Sequence, residues 1–295
     1  MDEDDLPQFD PLHYTQEDYL YWHHINMVSK YLLRSSVNSL AEAKALVNLK
    51  DNLGRYPIHV AIEKNDVATL KSILRLVDHV NHPDGSGKTP LFYAVAIGNQ
   101  EMVDLLIENG ADTKTRDNDG NTLLHVAAEN CKIEILANLL ELPTSTPVDV
   151  KDKYHWTPLH KSSWFGCKQE ATLLLMKGAK VDALTDTNLT PLIMAIGRKH
   201  LAVAELLLQH KADPNIKPNN GWTALHRAAA SGFGDGVKLL LFHGADMYLA
   251  DNLGRTPMHI AIERNSVDAI QVLTMNGYEL STKDFTPTNE NILFF

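Results

Sequence analysis

Asp51–Asn65 reads DNLGRYPIHVAIEKN, and Asp251–Asn265 reads DNLGRTPMHIAIERN. Eleven of the fifteen positions are identical; the exceptions are Tyr56/Thr256, Ile58/Met258, Val60/Ile260 and Lys64/Arg264. Two near-copies 200 residues apart imply a periodic array, which predicts further copies between them. With the Thr-Pro pair as a ruler, those copies begin at Tyr56, Thr89, Thr122, Thr157, Thr190, Thr223 and Thr256, in steps of 33, 33, 35, 33, 33 and 33 residues. The opening pair is therefore the first and last of seven units, with one two-residue insertion between the third and fourth.

Each unit reads alike. A turn such as Asp117-Asn118-Asp119-Gly120 comes first. A short helix follows, opened by Thr-Pro, because proline lacks the N–H that a first helical turn cannot satisfy. A second, amphipathic helix comes next, as at Glu101–Glu108 with Met102, Val103, Leu105 and Leu106 apolar. A Gly-Ala-Asp ending turns the chain out at Gly110-Ala111-Asp112 and Gly244-Ala245-Asp246.

These units resemble ankyrin repeats, whose pattern is a turn, T-P-L-H-x-A, a second helix and G-A-D. The pattern stands here as Thr157-Pro158-Leu159-His160, Thr223-Ala224-Leu225-His226-Arg227-Ala228 and Thr256-Pro257-Met258-His259-Ile260-Ala261. The resemblance implies an all-α solenoid of stacked helix pairs with projecting β-turn hairpins. One such unit cannot bury its apolar face alone, so its neighbours must cover it. The domain reading is an acidic mobile tail at 1–14, N-terminal capping helices at 15–46, seven repeats at 47–280, and a tail or degenerate eighth repeat at 281–295. Within 15–46, Tyr19, Trp22, Ile25, Val28 and Leu32 recur at helical spacing, and the chain ends Ile292-Leu293-Phe294-Phe295. Each of these segments reads as a cap on the stack or as a docking segment for a partner.

The departures from the pattern carry expectations of their own. His155 and Asn188 stand where other turns have glycine, and Asn65 and Asn265 where other first helices close on glycine. Both residue types tolerate a left-handed backbone, so the turns are expected to survive. Gly232, Gly234 and Gly236 read as a loosened helix junction and not as a phosphate cradle. Ser162 and Ser163 replace the alanines usual in the first helix.

Composition excludes several classes of function. A net charge of -10 disfavours the phosphate attraction on which nucleic-acid binding rests. No apolar run approaches the ~18 residues of a membrane span. The two cysteines, Cys131 and Cys167, lie in no metal or redox motif and read as reduced thiols in a cytoplasmic or nuclear protein. Five of the 14 histidines, His59, His125, His160, His226 and His259, share one repeat position and read as structural bonds to the next loop. No phosphate loop, nucleophile elbow or paired zinc spacing occurs, which points to a non-enzymatic protein without cofactor or metal.

The resemblance also implies where a partner would bind, on the turn tips and the exposed side of the first helix. In the fourth unit these positions hold Tyr154, Trp156, Trp164 and Phe165; the next two units add Leu189, Arg198 and Trp222. Trp, Tyr and Arg dominate binding hot spots, so these seven residues are the expected protein-partner site. The competing reading is that Trp164 and Phe165 fill space left by Ser162 and Ser163. The expected function is a scaffold or adaptor, monomeric when free. The alternative is a subunit of a larger cytoskeletal or ciliary assembly, anchored through its termini. Arg55/Arg255 and Glu63/Glu263 also fall at exposed contact positions, and their identity exceeds what stacking requires. Asn215, with Asp213 before it and Leu207 upstream, weakly resembles the family's asparaginyl hydroxylation pattern.

Overall fold

The computed structural model describes residues 40–142 and 146–279. The expected N-terminal helix around Tyr19–Leu32 and the Ile292–Phe295 tail lie outside the described residues. Among those described there are fifteen helices and no strand. Helix α1 is Leu40–Leu46. Seven pairs follow: α2 Pro57–Glu63 and α3 Val67–Leu74; α4 Pro90–Ile97 and α5 Gln100–Glu108; α6 Leu123–Glu129 and α7 Ile133–Glu141; α8 Pro158–Phe165 and α9 Lys168–Met176; α10 Pro191–Gly197 and α11 Leu201–Gln209; α12 Ala224–Ala230 and α13 Gly234–Phe242; α14 Pro257–Glu263 and α15 Val267–Met275. The chain falls into two compact units, the first ending at Asn118 and the second beginning at Asp119. In the first unit α2 stacks on α4 and α3 on α5; in the second, first helices stack on first helices from α6 to α14 and second helices on second helices from α7 to α15.

Helices of seven to nine residues are too short to persist alone in water. Burial holds them. The first helices are covered almost completely: in α10, Pro191, Leu192, Ile193, Met194, Ala195 and Ile196 are all buried. The fifth residue after the ruler position is alanine in every unit except the fourth, and Ala61, Ala94, Ala127, Ala195, Ala228 and Ala261 are at most 3% exposed. This small side chain lets neighbouring first helices approach. In the fourth unit Ser162 takes that place beside Ser163, both fully buried; Ser162 Oγ donates to the Leu159 carbonyl, and Ser163 Oγ has no partner.

The turn predictions hold. His155 and Asn188 are left-handed at φ 58 and 59, beside Gly120 and Gly221 at 77; Asn65 and Asn265 are left-handed too, at 57 and 53. The sixth unit is tighter than expected. Gly234 and Gly236 lie within α13, and a Cβ on Gly236 would meet the Phe233 ring at 2.3 Å, so this glycine makes room for an aromatic ring.

The repeated histidine does two things at once. In the fourth unit the Thr157 N–H donates to His160 Nδ1 (3.1 Å), which closes the helix start as a capping pair. Nδ1 then carries no proton, so Nε2–H donates to the Leu189 carbonyl of the next turn (3.1 Å). His125 reaches Trp156, His226 reaches Arg255, and in the first unit His59 reaches Lys88 in the same way. Burial pushes His59 and His160 down to about 4 and lowers His226, which keeps these three rings neutral.

The cysteines correct the sequence reading. Cys131 closes α6 with left-handed φ 54, Cys167 precedes α9, and the two are joined in a disulfide with Cα atoms 5.2 Å apart. They are 36 residues apart and carry no motif, but that separation is one repeat length plus one. Stacking therefore brings the inter-helix turns of the third and fourth units together.

The fold generates two expected outcomes. Below pH 6.5 the unfolded chain protonates these histidines while the folded chain does not until about 4. Stability should therefore fall as pH drops through that window, by on the order of 3 kcal/mol per buried histidine. Urea midpoints between pH 7 and 4.5 measure this, and His160→Gln should lessen the slope; a flat profile contradicts it. Reducing the disulfide in metal-free buffer should cost about 2–4 kcal/mol by the loop it closes. The urea midpoint should shift with reductant in the wild type and not in Cys131→Ser.

Candidate functional site

The fourth tip is built on Asp152. Its buried carboxylate accepts the N–H groups of Tyr154 and Trp156, both at 2.9 Å, and its own N–H donates to the Trp156 carbonyl. That closed turn, with His155 left-handed at its corner, leaves Tyr154 49% exposed and sets Trp156 half-buried against the helix behind it. Trp164 and Phe165 stand at the end of α8, where left-handed Gly166 stops the helix. Position 164 is eight residues on from 156, and the two indoles meet edge to face at 5.5 Å.

Cations line this pair. The Arg198 guanidinium, from the end of α10, lies 3.7 Å above the Trp164 ring. Lys161 sits 5.4 Å from the Trp156 ring and is held by Glu129 (3.4 Å) and Asp152 (3.7 Å). The His200 Nε2–H donates to the Trp164 carbonyl. Arg198, Trp164, Trp156 and Lys161 thus form one continuous layer across the fourth and fifth units, with Tyr154 and half-exposed Phe165 beside it. Each cation over a ring contributes about 0.5–2 kcal/mol, and the edge-to-face pair about 0.5–1.5.

The other sequence-selected residues are placed differently. Leu189 is half-buried, and its backbone is fixed by Thr185 Oγ1 and by His160. Trp222 belongs to a separate cluster in the sixth and seventh units. Its Nε1–H donates to Asp251 (3.0 Å), and its ring lies 5.6 Å from Arg227 and 5.9 Å from Arg255. The serine-filling alternative fails for Phe165: Ser162 and Ser163 point into the stack, and Phe165 is 50% exposed.

Arg55 and Glu63, expected as contact positions, are bonded within the protein. Arg55 pairs with buried Asp51 (2.7 Å) and with Glu63 (2.7 Å); Arg255 pairs with Asp251 (2.8 Å) and Glu263 (3.0 Å). Asn215 bridges to the following loop, donating to the Gly244 carbonyl and accepting the Asp246 N–H.

Sequence reasoning missed two features. Met176, Phe242 and Met275 are 73–85% exposed at the ends of second helices. They share one register, nineteen residues after the ruler position, which was the available signal. Also, among the described residues Cys131, Cys167 and Glu170 form a group with metal-ligand spacing. No helix among the described residues is long and apolar enough to cross a membrane.

Comparison with known proteins agrees with this architecture. Models of ankyrin repeats match residues 12–117, 98–185 and 171–251 in three-copy form and 235–274 in many-copy form. The mouse B-cell lymphoma 3 protein homolog is 33% identical over 195 residues, 64% of this chain and 44% of that protein. Human rabankyrin-5 is 33% identical over 164 residues, 55% of this chain and 14% of that protein. The chain thus spans less than half the length of either relative. The probable 26S proteasome regulatory subunit p28 of Saccharomyces cerevisiae is 31% identical over 193 residues, 63% of this chain and 84% of that protein. The crystal structure of the ankyrin repeat domain of Bcl-3, described as a unique member of the IkappaB protein family, superposes with a TM-score of 0.61 at 29% identity, over 74% of this chain and 99% of that one. The chain belongs to the ankyrin-repeat family, and its stacked helix pairs form a protein-interaction domain.

Proposed function

We propose that the chain is a non-enzymatic scaffold or adaptor. Its partner protein docks on the turn tips and exposed first-helix side of the fourth and fifth repeats, centred on Trp156, Trp164 and Arg198, with Tyr154 and Phe165 as anchors. The observation that carries this reading is the exposure of Tyr154 and Phe165 around a rigid Trp–Trp–Arg layer. Aromatic side chains held in place by neighbours lose little entropy on binding, and such residues form the centres of interfaces. Lys161, held by Asp152 and Glu129, supports the layer from within.

A second reading is supported by one relative. The yeast protein that this chain covers for 84% of its length is named as a probable proteasome regulatory subunit, which supports a subunit of a larger assembly as the second reading.

The test pairs two variants in affinity capture from native extract, each with a thermal melt. Tyr154→Ser/Phe165→Ser removes exposed rings and should melt within a few degrees of wild type while losing its specific partners by at least tenfold, about 1.4 kcal/mol. Trp164→Ala should lose the same partners and also about 1–2 kcal/mol of stability, because it removes the Arg198 and Trp156 contacts. Retention of the full partner set by the first variant places binding elsewhere. Recovery of the wild-type protein in one large complex of fixed composition supports the assembly reading.

A further inference from the structure

The second helices bury the third residue of their first turn. At that register stand Met102, Ile135, Val203 and Ala269, each at most 2% exposed, with Thr69 at 4%. In the fourth repeat the same place holds Glu170, also 2% exposed. A carboxylate thus occupies a core position that the architecture reserves for apolar or small side chains. Its Oε1 has no hydrogen-bond partner. Leaving such an atom unpaired in the interior costs free energy that an apolar residue would avoid, so the carboxylate calls for a ligand.

The neighbours of Glu170 show which ligand fits. Cys131 Sγ, Cys167 Sγ and a Glu170 carboxylate oxygen all lie within 4.8 Å of one another. Two sulfurs and one carboxylate oxygen are a donor set for a borderline-soft divalent cation of the zinc type, not for magnesium or calcium, which take oxygen. Cys167 directly precedes α9, where the helix N-terminus favours a thiolate. Cys131 is exposed, which leaves an entry path and room for a water as fourth ligand.

We propose that the dithiol form of this protein binds one zinc-class divalent cation through Cys131, Cys167 and Glu170, between the third and fourth repeats. The disulfide and the metal are alternative states of one site, since the bonded sulfurs cannot both ligate as thiolates. Binding removes a proton from each thiol and forms two metal–sulfur bonds and one metal–oxygen bond, with no change in oxidation state.

The full chain, reduced and freed of metal, is titrated with Co2+. One equivalent should give a near-ultraviolet thiolate-to-cobalt charge-transfer band, and Zn2+ should abolish it by displacement. Cys131→Ser, at an exposed position, should lose the band. Glu170→Gln should weaken Co2+ binding at least tenfold. Glu170→Met, which copies the second repeat, should melt no lower than wild type without metal and should gain no stability from Zn2+, whereas the reduced wild type should melt higher with Zn2+. A reduced wild type without the band at equimolar Co2+ overturns the proposal. So does a band that survives Cys131→Ser, or an affinity unchanged in both Glu170 variants.

Discussion

In the first, third, fourth and sixth repeats one imidazole ties the helix pair to the next turn. Its Nδ1 accepts the N–H that opens the first helix, and this fixes the tautomer that lets Nε2 donate to the next turn. The cap and the stacking bond are therefore coupled through a single proton. The repeats that carry it depend on that coupling, because helices of seven to nine residues have no independent stability and persist only when the neighbouring unit is held in register. Phe92 and Ile193 take the histidine position in the second and fifth units, and both are nearly fully buried. Trp222, at the turn after Ile193, is instead tied to Asp251 through its indole.

The near-identity of the first and last repeats has a local cause. In both, an aspartate holds the turn through two backbone N–H groups, and an arginine bridges that aspartate to a glutamate on the helix behind. Other repeats give the turn aspartate a different partner: Tyr93 for Asp84, and Lys161 for Asp152. Where lysine takes over from arginine, the position before the Thr-Pro pair is released from that duty and carries Trp156. The aromatic layer of the fourth repeat thus follows from the way its turn carboxylate is satisfied.

The fourth repeat departs from its neighbours at several places at once. It has buried serines for alanine, a histidine at the left-handed turn corner, a carboxylate at a core position and a cysteine on each side of its junction with the third repeat. Buried polar atoms at Ser163 and Glu170 reduce stability relative to apolar replacements.

The amino-acid sequence by itself determined the repeat length, the family, the helix pairs, the left-handed corners at His155 and Asn188 and the role of the histidines. Each of these is a local or periodic property, legible from residue type and spacing. Only the tertiary structure decided which surface residues meet. It joined Trp156, Trp164 and Arg198, assigned Trp222 to another cluster, and paired Arg55 with Glu63. It also brought Cys131, Cys167 and Glu170 together. The physical reason is that these contacts cross from one repeat to the next. Stacking geometry sets them, and the chain's period fixes only which repeat positions lie opposite one another, not which side chains turn toward each other.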